Sequence, residues 1–87
     1  MAYKKKKKNK IDIILPNYNS SRYIEETIKS VVEQTFAHWN LIIVDDFSDE
    51  KTKKILKKFS KNKKIKIFWL KKNRGAGYCR NLAIKNA

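Results

Sequence analysis

Apolar and polar positions along this chain follow two different periods. Ile11-Asp12-Ile13-Ile14-Leu15 is a nearly unbroken aliphatic run that stops at Pro16-Asn17-Tyr18-Asn19. Leu41-Ile42-Ile43-Val44 is a second such run, and it leads straight into Asp45-Asp46-Phe47-Ser48. Runs of this length without alternation read as strands covered on both faces, as in a parallel sheet. The first strand is expected over residues 11–15, with Asp12 toward an edge and Pro16 ending the pairing because it offers no N–H. The second is expected over residues 40–44. Between them Ile24, Ile28, Val31, Val32 and Phe36 recur at helical spacing, with Glu26, Lys29 and Glu33 opposite. That spacing predicts a helix over residues 21–35, capped by Ser20 or Ser21, with Glu25 and Glu26 at its positive end.

The same alternation of periods continues. Ile55, Leu56 and Phe59 make the apolar face of a helix over residues 49–60, capped by Ser48 or Asp49, with Lys51, Lys53, Lys54, Lys57 and Lys58 on its solvated side. In residues 63–70, Ile65, Ile67 and Trp69 alternate with Lys64, Lys66 and Phe68. This predicts a third strand with one face more exposed, nearer the sheet edge. Residues 71–77 form a loop, and a last helix starts at Ala76 or Gly77 and runs through Leu82, Ala83 and Ile84. The element order is β-α-β-α-β-α. The fold class is α/β: a three-layer αβα, Rossmann-like half domain with a short parallel sheet of strand order 3-2-1. In such sheets ligands collect beyond the carboxyl ends of the strands, which puts the two aliphatic runs' polar ends at the centre of interest.

Composition narrows the classes. With 87 residues the chain is one small domain, and 41% hydrophobic content is enough for a core. There are 22 Lys and Arg against 8 Asp and Glu, a formal charge of +14, yet only Arg22, Arg74 and Arg80 are arginine. Nucleic-acid readers favour the arginine fork, so no specific nucleic acid is expected as partner. A lysine excess with abundant Asn and Ile is either plain compositional bias or an attraction to an anionic membrane surface, which is at least as plausible as nucleic-acid binding. Lys4 to Lys8 is an unbroken lysine run, which predicts a disordered basic tail over residues 1–10. Such a tail is either simply solvated or adheres to acidic lipid at about 1 kcal/mol per lysine. The one cysteine, Cys79, excludes an internal disulfide and a thiol pair for a metal. No apolar run approaches the roughly 20 residues of a membrane span, and no signal core follows the first lysines. The expected location is cytoplasmic, with a peripheral place at the inner membrane face.

Candidate chemistry gathers at the strand ends. Asp45 and Asp46 are adjacent, so their side chains diverge and do not form one metal clamp. One use is to accept hydrogen bonds from a base edge or ribose hydroxyls; the other is to cap the next helix and pair with a lysine. Tyr18 either stacks on a planar base or packs over the sheet edge. The loop Asn73-Arg74-Gly75-Ala76-Gly77 precedes a helix and could cradle phosphate on its N–H groups. It does not complete a G-x-G-x-x-G fingerprint: position 80 is Arg80, and the loop follows the third strand. Arg74 and Arg80 are either diphosphate partners or surface charge. His38 has no companions at metal or base spacing and reads as a loop residue. Cys79 reads as a small packed residue.

Several stretches together resemble the family 2 glycosyltransferases, inverting enzymes of the GT-A fold. Ile13 to Asn19 is similar to their opening P-x-Y-N element. Tyr23-Ile24 followed by Ser30-Val31-Val32-Glu33-Gln34-Thr35 resembles their first helix, with its S-V-x-x-Q-T. Trp39 to Ser48 resembles the strand and turn I-I-V-D-D-x-S. Asn73-Arg74-Gly75 and Ala76 to Asn81 resemble N-x-G followed by A-R-N. The resemblance runs over residues 11–87, with one departure at Phe47, where the family places glycine.

The resemblance implies a nucleotide-sugar-binding half domain, truncated, for polysaccharide biosynthesis. The implied nucleotide-binding residues are Pro16, Tyr18 and Asn19 of the first element, Asp45 and Asp46 of the second, and Asn73, Gly75 and Arg80 of the third. The Pro16 backbone and Tyr18 ring would meet the base, Asp46 its edge, and Asn73 to Gly75 with Arg80 the ribose-diphosphate. The implied donor is a UDP-, GDP- or dTDP-sugar, and Mg²⁺ or Mn²⁺ is implied for the complete enzyme. The family's D-x-D metal motif and catalytic base lie beyond the A-R-N element, so no catalytic or metal residue is assigned here. These residues alone are expected to be inactive, with a free sheet edge open to edge-to-edge dimerisation. The competing expectation is a non-enzymatic basic module binding acidic lipid or nucleic acid through the lysine tail.

Overall fold

Seven elements follow in order in the computed structural model, which describes residues 3–7, 10–34 and 39–87. They are β1 (Tyr3–Lys7), β2 (Lys10–Asn17), α1 (Ile24–Gln34), β3 (Trp39–Asp45), α2 (Glu50–Phe59), β4 (Ile65–Trp69) and α3 (Ala76–Lys85). Thr35, Phe36 and His38, read above as helix end, apolar face and loop, lie outside the described residues. The sheet order is β1-β2-β3-β4. The three strands expected from the sequence are parallel neighbours in the expected 3-2-1 order, as β4, β3 and β2.

Strand period two sorts the core into two layers. Ile13 lies opposite Leu41, which lies opposite Ile65; Leu15 and Ile43 continue the row. These side chains face Ile24 and Ile28 of α1 and Leu56 of α2. The intervening residues Ile14, Ile42 and Val44 face Cys79 and Ala83 of α3, with Phe68 and Leu82 packed beside them. Each fully buried aliphatic contributes about 1.5–3 kcal/mol, and a one-residue slip would turn every one to the wrong layer. The register is thus fixed by the near-continuous aliphatic runs, and with it the position of the polar residues at the strand ends.

Four local expectations are corrected. The first concerns the lysine run: Tyr3–Lys7 is not a disordered tail but a strand, antiparallel to β2, with Tyr3 opposite Ile14 and Lys7 opposite Lys10. Main-chain pairing does not depend on side-chain charge, and β2 otherwise presents an unpaired row of N–H and C=O groups. β1 therefore occupies the edge at which edge-to-edge pairing is expected.

The second concerns Pro16, which does not end its strand; β2 runs on through Asn17, opposite Asp45. Asn17 accepts from the Asp46 N–H at 2.8 Å, so by alternation Pro16 turns its missing donor away from β3. It lies past Ile14, the last β2 residue that β1 partners. Third, Asp12 is buried, and Asn40 Nδ2 donates to it at 3.3 Å. Fourth, neither serine hydroxyl caps α1. The Ser20 carbonyl accepts from the N–H groups of Tyr23 and Ile24, while its hydroxyl donates to Asn17 Oδ1.

Candidate functional site

The parallel register brings the ends of β2 and β3 side by side, so their two polar loops must share partners. Asp45 is fully buried, at 0% exposure. Its carboxylate accepts from Asn17 Nδ2 at 3.1 Å, from the Ser48 N–H at 3.1 Å and from Ser48 Oγ at 2.6 Å. A buried carboxylate survives only when its lone pairs are filled, and here they are filled by the loop after β2 and the turn after β3. Asn19 adds a second tie. Its N–H donates to Ser48 Oγ at 2.9 Å, and its Oδ1 accepts from the Asp49 N–H at 2.7 Å. Asp49 in turn caps α2 by accepting from the Thr52 N–H at 2.9 Å. The adjacent Thr52 side chain, with this N–H, holds the Asp49 carboxyl below the usual carboxylate range. Asp45 and Asn19 thus tie the loop after β2 to the turn after β3.

Asp46 points the other way, as adjacent strand-end residues must. It is 4% exposed. Its two oxygens accept from the Arg74 N–H at 2.6 Å and the Gly75 N–H at 2.8 Å. Asn73 Nδ2 donates to the Asp46 carbonyl at 3.3 Å. The loop after β4 is therefore folded onto the end of β3 by one carboxylate. Gly75, at φ +89°, sits in a backbone region open to glycine alone, and it precedes α3 without a side-chain cap. The first-turn N–H groups of α3 thus keep their orphan donors. Phe47 lies between the two aspartates' partners with φ +58°. The left-handed turn that suits glycine is kept by an aromatic residue, whose ring has Lys53 Nζ 5.0 Å from its centroid.

Pro16, Asn17, Tyr18, Asp46, Ala76 and Cys79 line a cleft of about 80 Å³. Tyr18 stands at its rim, 52% exposed. The Cys79 thiol lies at its floor. Burial, with the negative charge of Asp46 beside it, pushes its pKa up from 9.0 to about 11. Of the residues singled out by sequence, Pro16, Tyr18 and Asp46 meet here. Asn73 and Gly75 reach the cleft through Asp46. Arg80 is exposed on α3 and is not among the cleft's lining residues. Arg74 lies 5.1 Å from the centroid of the Tyr78 ring.

Asn17, Ser48 and Cys79 carry roles the sequence did not assign. Asn17 and Ser48 sit inside the same two motifs, so position alone could have flagged them; nothing local flags Cys79. A larger hollow, about 320 Å³, lies between the start of α1 and Ile55 of α2. Its wall is solvated charge: Glu25 bonds Lys29 at 3.0 Å and Lys58 at 3.5 Å, which holds its carboxyl below the usual range. No buried polar group converges on it.

The donor set does not fit a divalent metal. No three His, Cys, Asp or Glu side chains come together among the described residues. The carboxylates of Asp45 and Asp46 are already directed at protein donors.

The sequence profile of Glycosyl transferase family 2 matches residues 12–87. The chain belongs to this family. It is 38% identical over 77 residues to the Escherichia coli UDP-Glc:alpha-D-GlcNAc-diphosphoundecaprenol beta-1,3-glucosyltransferase WfgD, covering 88% of this chain and 30% of that one. It is 36% identical over 81 residues to the Staphylococcus aureus poly(ribitol-phosphate) beta-N-acetylglucosaminyltransferase TarS, covering 90% of this chain and 14% of TarS. The crystal structure of TarS residues 1–349 in complex with UDP-GlcNAc superposes with a TM-score of 0.76 at 36% identity, over 85% of this chain and 22% of that one. The Pyrobaculum calidifontis mannosyltransferase PcManGT, in complex with GDP-Man and Mn²⁺, shares the fold alone, at TM-score 0.75 and 23% identity. The α/β fold expected from the sequence is thus the fold of these glycosyltransferases. The chain spans less than a third of the length of these relatives.

Proposed function

We propose that these residues form the donor-binding part of an inverting glycosyltransferase that takes a nucleotide-sugar, a UDP-sugar foremost, and passes its sugar to an acceptor hydroxyl. The observation that carries this reading is the cleft between Tyr18 and Asp46, roofed by the loop that Asp46 itself holds. The Tyr18 ring stacks on the base, a contact of about 1–3 kcal/mol. Asp46 uses one lone pair on each oxygen for Arg74 and Gly75, which leaves capacity to accept from a base N–H. The uncapped start of α3, with Arg74 and Arg80, offers N–H groups and positive charge to the diphosphate. Pro16, Asn19, Asp45, Asn73 and Gly75 serve by position: they fix the walls between which the nucleotide lies.

WfgD is named for a UDP-Glc donor and TarS is bound to UDP-GlcNAc, which favours UDP over GDP or dTDP. The PcManGT complex contains Mn²⁺, and Mg²⁺ or Mn²⁺ is expected in the complete enzyme, where it would neutralise the leaving diphosphate. The carboxylates described here do not fit that role, and none is placed as an acceptor base. These 87 residues therefore bind the nucleotide without transferring sugar.

Calorimetric titration with UDP tests this reading. The parent chain should bind, and Tyr18→Ala should weaken binding by about 5- to 150-fold. Asp46→Ala should abolish it, and binding should survive added salt. Equal affinity in the parent, Tyr18→Ala and Asp46→Ala chains would refute the assignment of the cleft. Turnover of a UDP-sugar above a protein-free blank would refute the claim of inactivity.

A further inference from the structure

The formal charge is unevenly placed along the chain. All eight Asp and Glu residues lie at or before Glu50, where they balance the basic residues of that part, so the whole of the +14 is carried after it. Of the basic residues after Glu50 only Arg74 and Arg80 are arginine, and Arg74 belongs to the loop roofing the cleft. The rest are lysines, concentrated on the flank made by α2, the turn after it and β4.

The fold determines which of them face outward. α2 buries Thr52 and Leu56 against the sheet. Lys54 and Lys57 project from its opposite side and are exposed, and so are Lys61 and Lys63 in the following turn. None of these four takes part in an ion pair among the described residues. Like charges gathered without counter-charge repel one another and weaken the folded state, so the surface is complementary to an extended anion.

We propose that this flank docks on an anionic lipid bilayer, with the α2 and turn lysines at headgroup level. Lysine is a compact, hydrated point charge suited to the diffuse field of acidic headgroups, whereas phosphodiester chains are gripped by the arginine fork. No helix among the described residues is long and apolar enough to cross a membrane, so the contact is peripheral. This surface is separate from the donor cleft and does not depend on what the cleft binds.

Flotation of the 87-residue chain with phosphatidylcholine vesicles, with and without phosphatidylglycerol, tests the proposal at about 0.1 M salt, where the screening length is about 10 Å. The chain should float only with the phosphatidylglycerol vesicles. Combined Lys54→Gln, Lys57→Gln, Lys61→Gln and Lys63→Gln should lower partitioning on the order of 600-fold, at about fivefold per lysine. Glutamine keeps the helix propensity of α2, and the variant should still bind UDP as the parent does. Lys4→Gln, Lys5→Gln, Lys6→Gln and Lys7→Gln together should retain most of the binding.

Three results would each overturn the proposal. In the first, the flank variant floats like the parent. In the second, neutral vesicles bind equally well. In the third, the β1 variant loses as much as the flank variant. Displacement from the vesicles by an oligonucleotide at equal phosphate concentration would likewise overturn it, in favour of nucleic acid.

Discussion

Asp45 and Asp46 are chemically identical neighbours, yet removing them should have opposite consequences. Asp45→Ala deletes a fully buried carboxylate together with its bonds to Asn17 Nδ2, the Ser48 N–H and Ser48 Oγ. Hydrogen bonds to a charged acceptor contribute about 1.5–3 kcal/mol each, and a buried donor left unpaired costs about 1–3 kcal/mol. All three bonds share one group, and the variant is relieved of burying a charge, so they do not add. Removing one partner from a buried charged network costs about 3–5 kcal/mol, and that is the expected loss. Set against about 0.05–0.15 kcal/mol of stability per residue, it takes much of what an 87-residue chain has.

Asp46→Ala frees only the N–H groups of Arg74 and Gly75, in a loop where Arg74 is exposed and Gly75 half-buried. Water replaces the carboxylate there, and the expected loss is about 1 kcal/mol. Urea unfolding followed by tryptophan fluorescence measures both, with the midpoint shifting at constant slope. Asp45→Asn should fall between, since an amide oxygen in the Oδ1 place still accepts from Asn17 and from Ser48 Oγ while a nitrogen in the Oδ2 place cannot accept from the Ser48 N–H. Asp45→Ala within about 1 kcal/mol of the parent, or a larger loss in Asp46→Ala, would refute the division into an aspartate that frames the core end of the sheet and one that holds only the loop after β4.

Three further outcomes follow from the same geometry. At Phe47, with φ +58°, the Gly variant should be more stable than the Ala variant by about 1 kcal/mol. Both lose the ring beside Lys53, so their difference in melting temperature isolates the left-handed turn. Gly75→Ala meets open space but is strained at φ +89°. It should cost about 1–3 kcal/mol in urea unfolding and weaken UDP binding by displacing the N–H groups that Asp46 holds; an unchanged midpoint would contradict this.

The Cys79 thiol, raised from 9.0 to about 11, keeps its proton in the folded chain where the unfolded chain has lost it. Its contribution to stability is whole below pH 9.0 and is lost as pH rises through about 11. The parent should therefore lose stability across that window faster than Cys79→Ala, and parallel pH–stability curves would speak against the buried thiol. Alkylation of the native thiol near neutral pH should also be slow.

The elements were legible where local pattern and tertiary demand coincide. Continuous aliphatics at residues 11–15 and 41–44 could only be strands buried on both faces, and two strands of that kind around one helix imply parallel neighbours. The strand ends were legible as the place where polar residues gather for the same reason. What each polar residue does there was not legible, because the answer lies in partners 27 to 29 residues away in sequence, such as Asn73 and Gly75 for Asp46. Asp45 and Asp46 differ only in which side of the strand each one points to, and no local signal says whether Asn17 or Gly75 waits on that side. Pro16 was read by its missing N–H, but which way that position faces depends on register. The lysine run was read by its charge, whereas its main chain responds to an unpaired edge.

That edge strand changes how the sheet can grow. In doubly wound sheets the chain returns, after strands ordered 3-2-1, to the far side of the first one. Here that side of β2 already has β1 lying antiparallel along it, from Lys10 to Ile14. Any parallel strand added beside β2 must compete for the same row of donors and acceptors, so addition becomes an exchange of one strand for another. β1 thus holds the row of β2 groups that any further strand on that side would need.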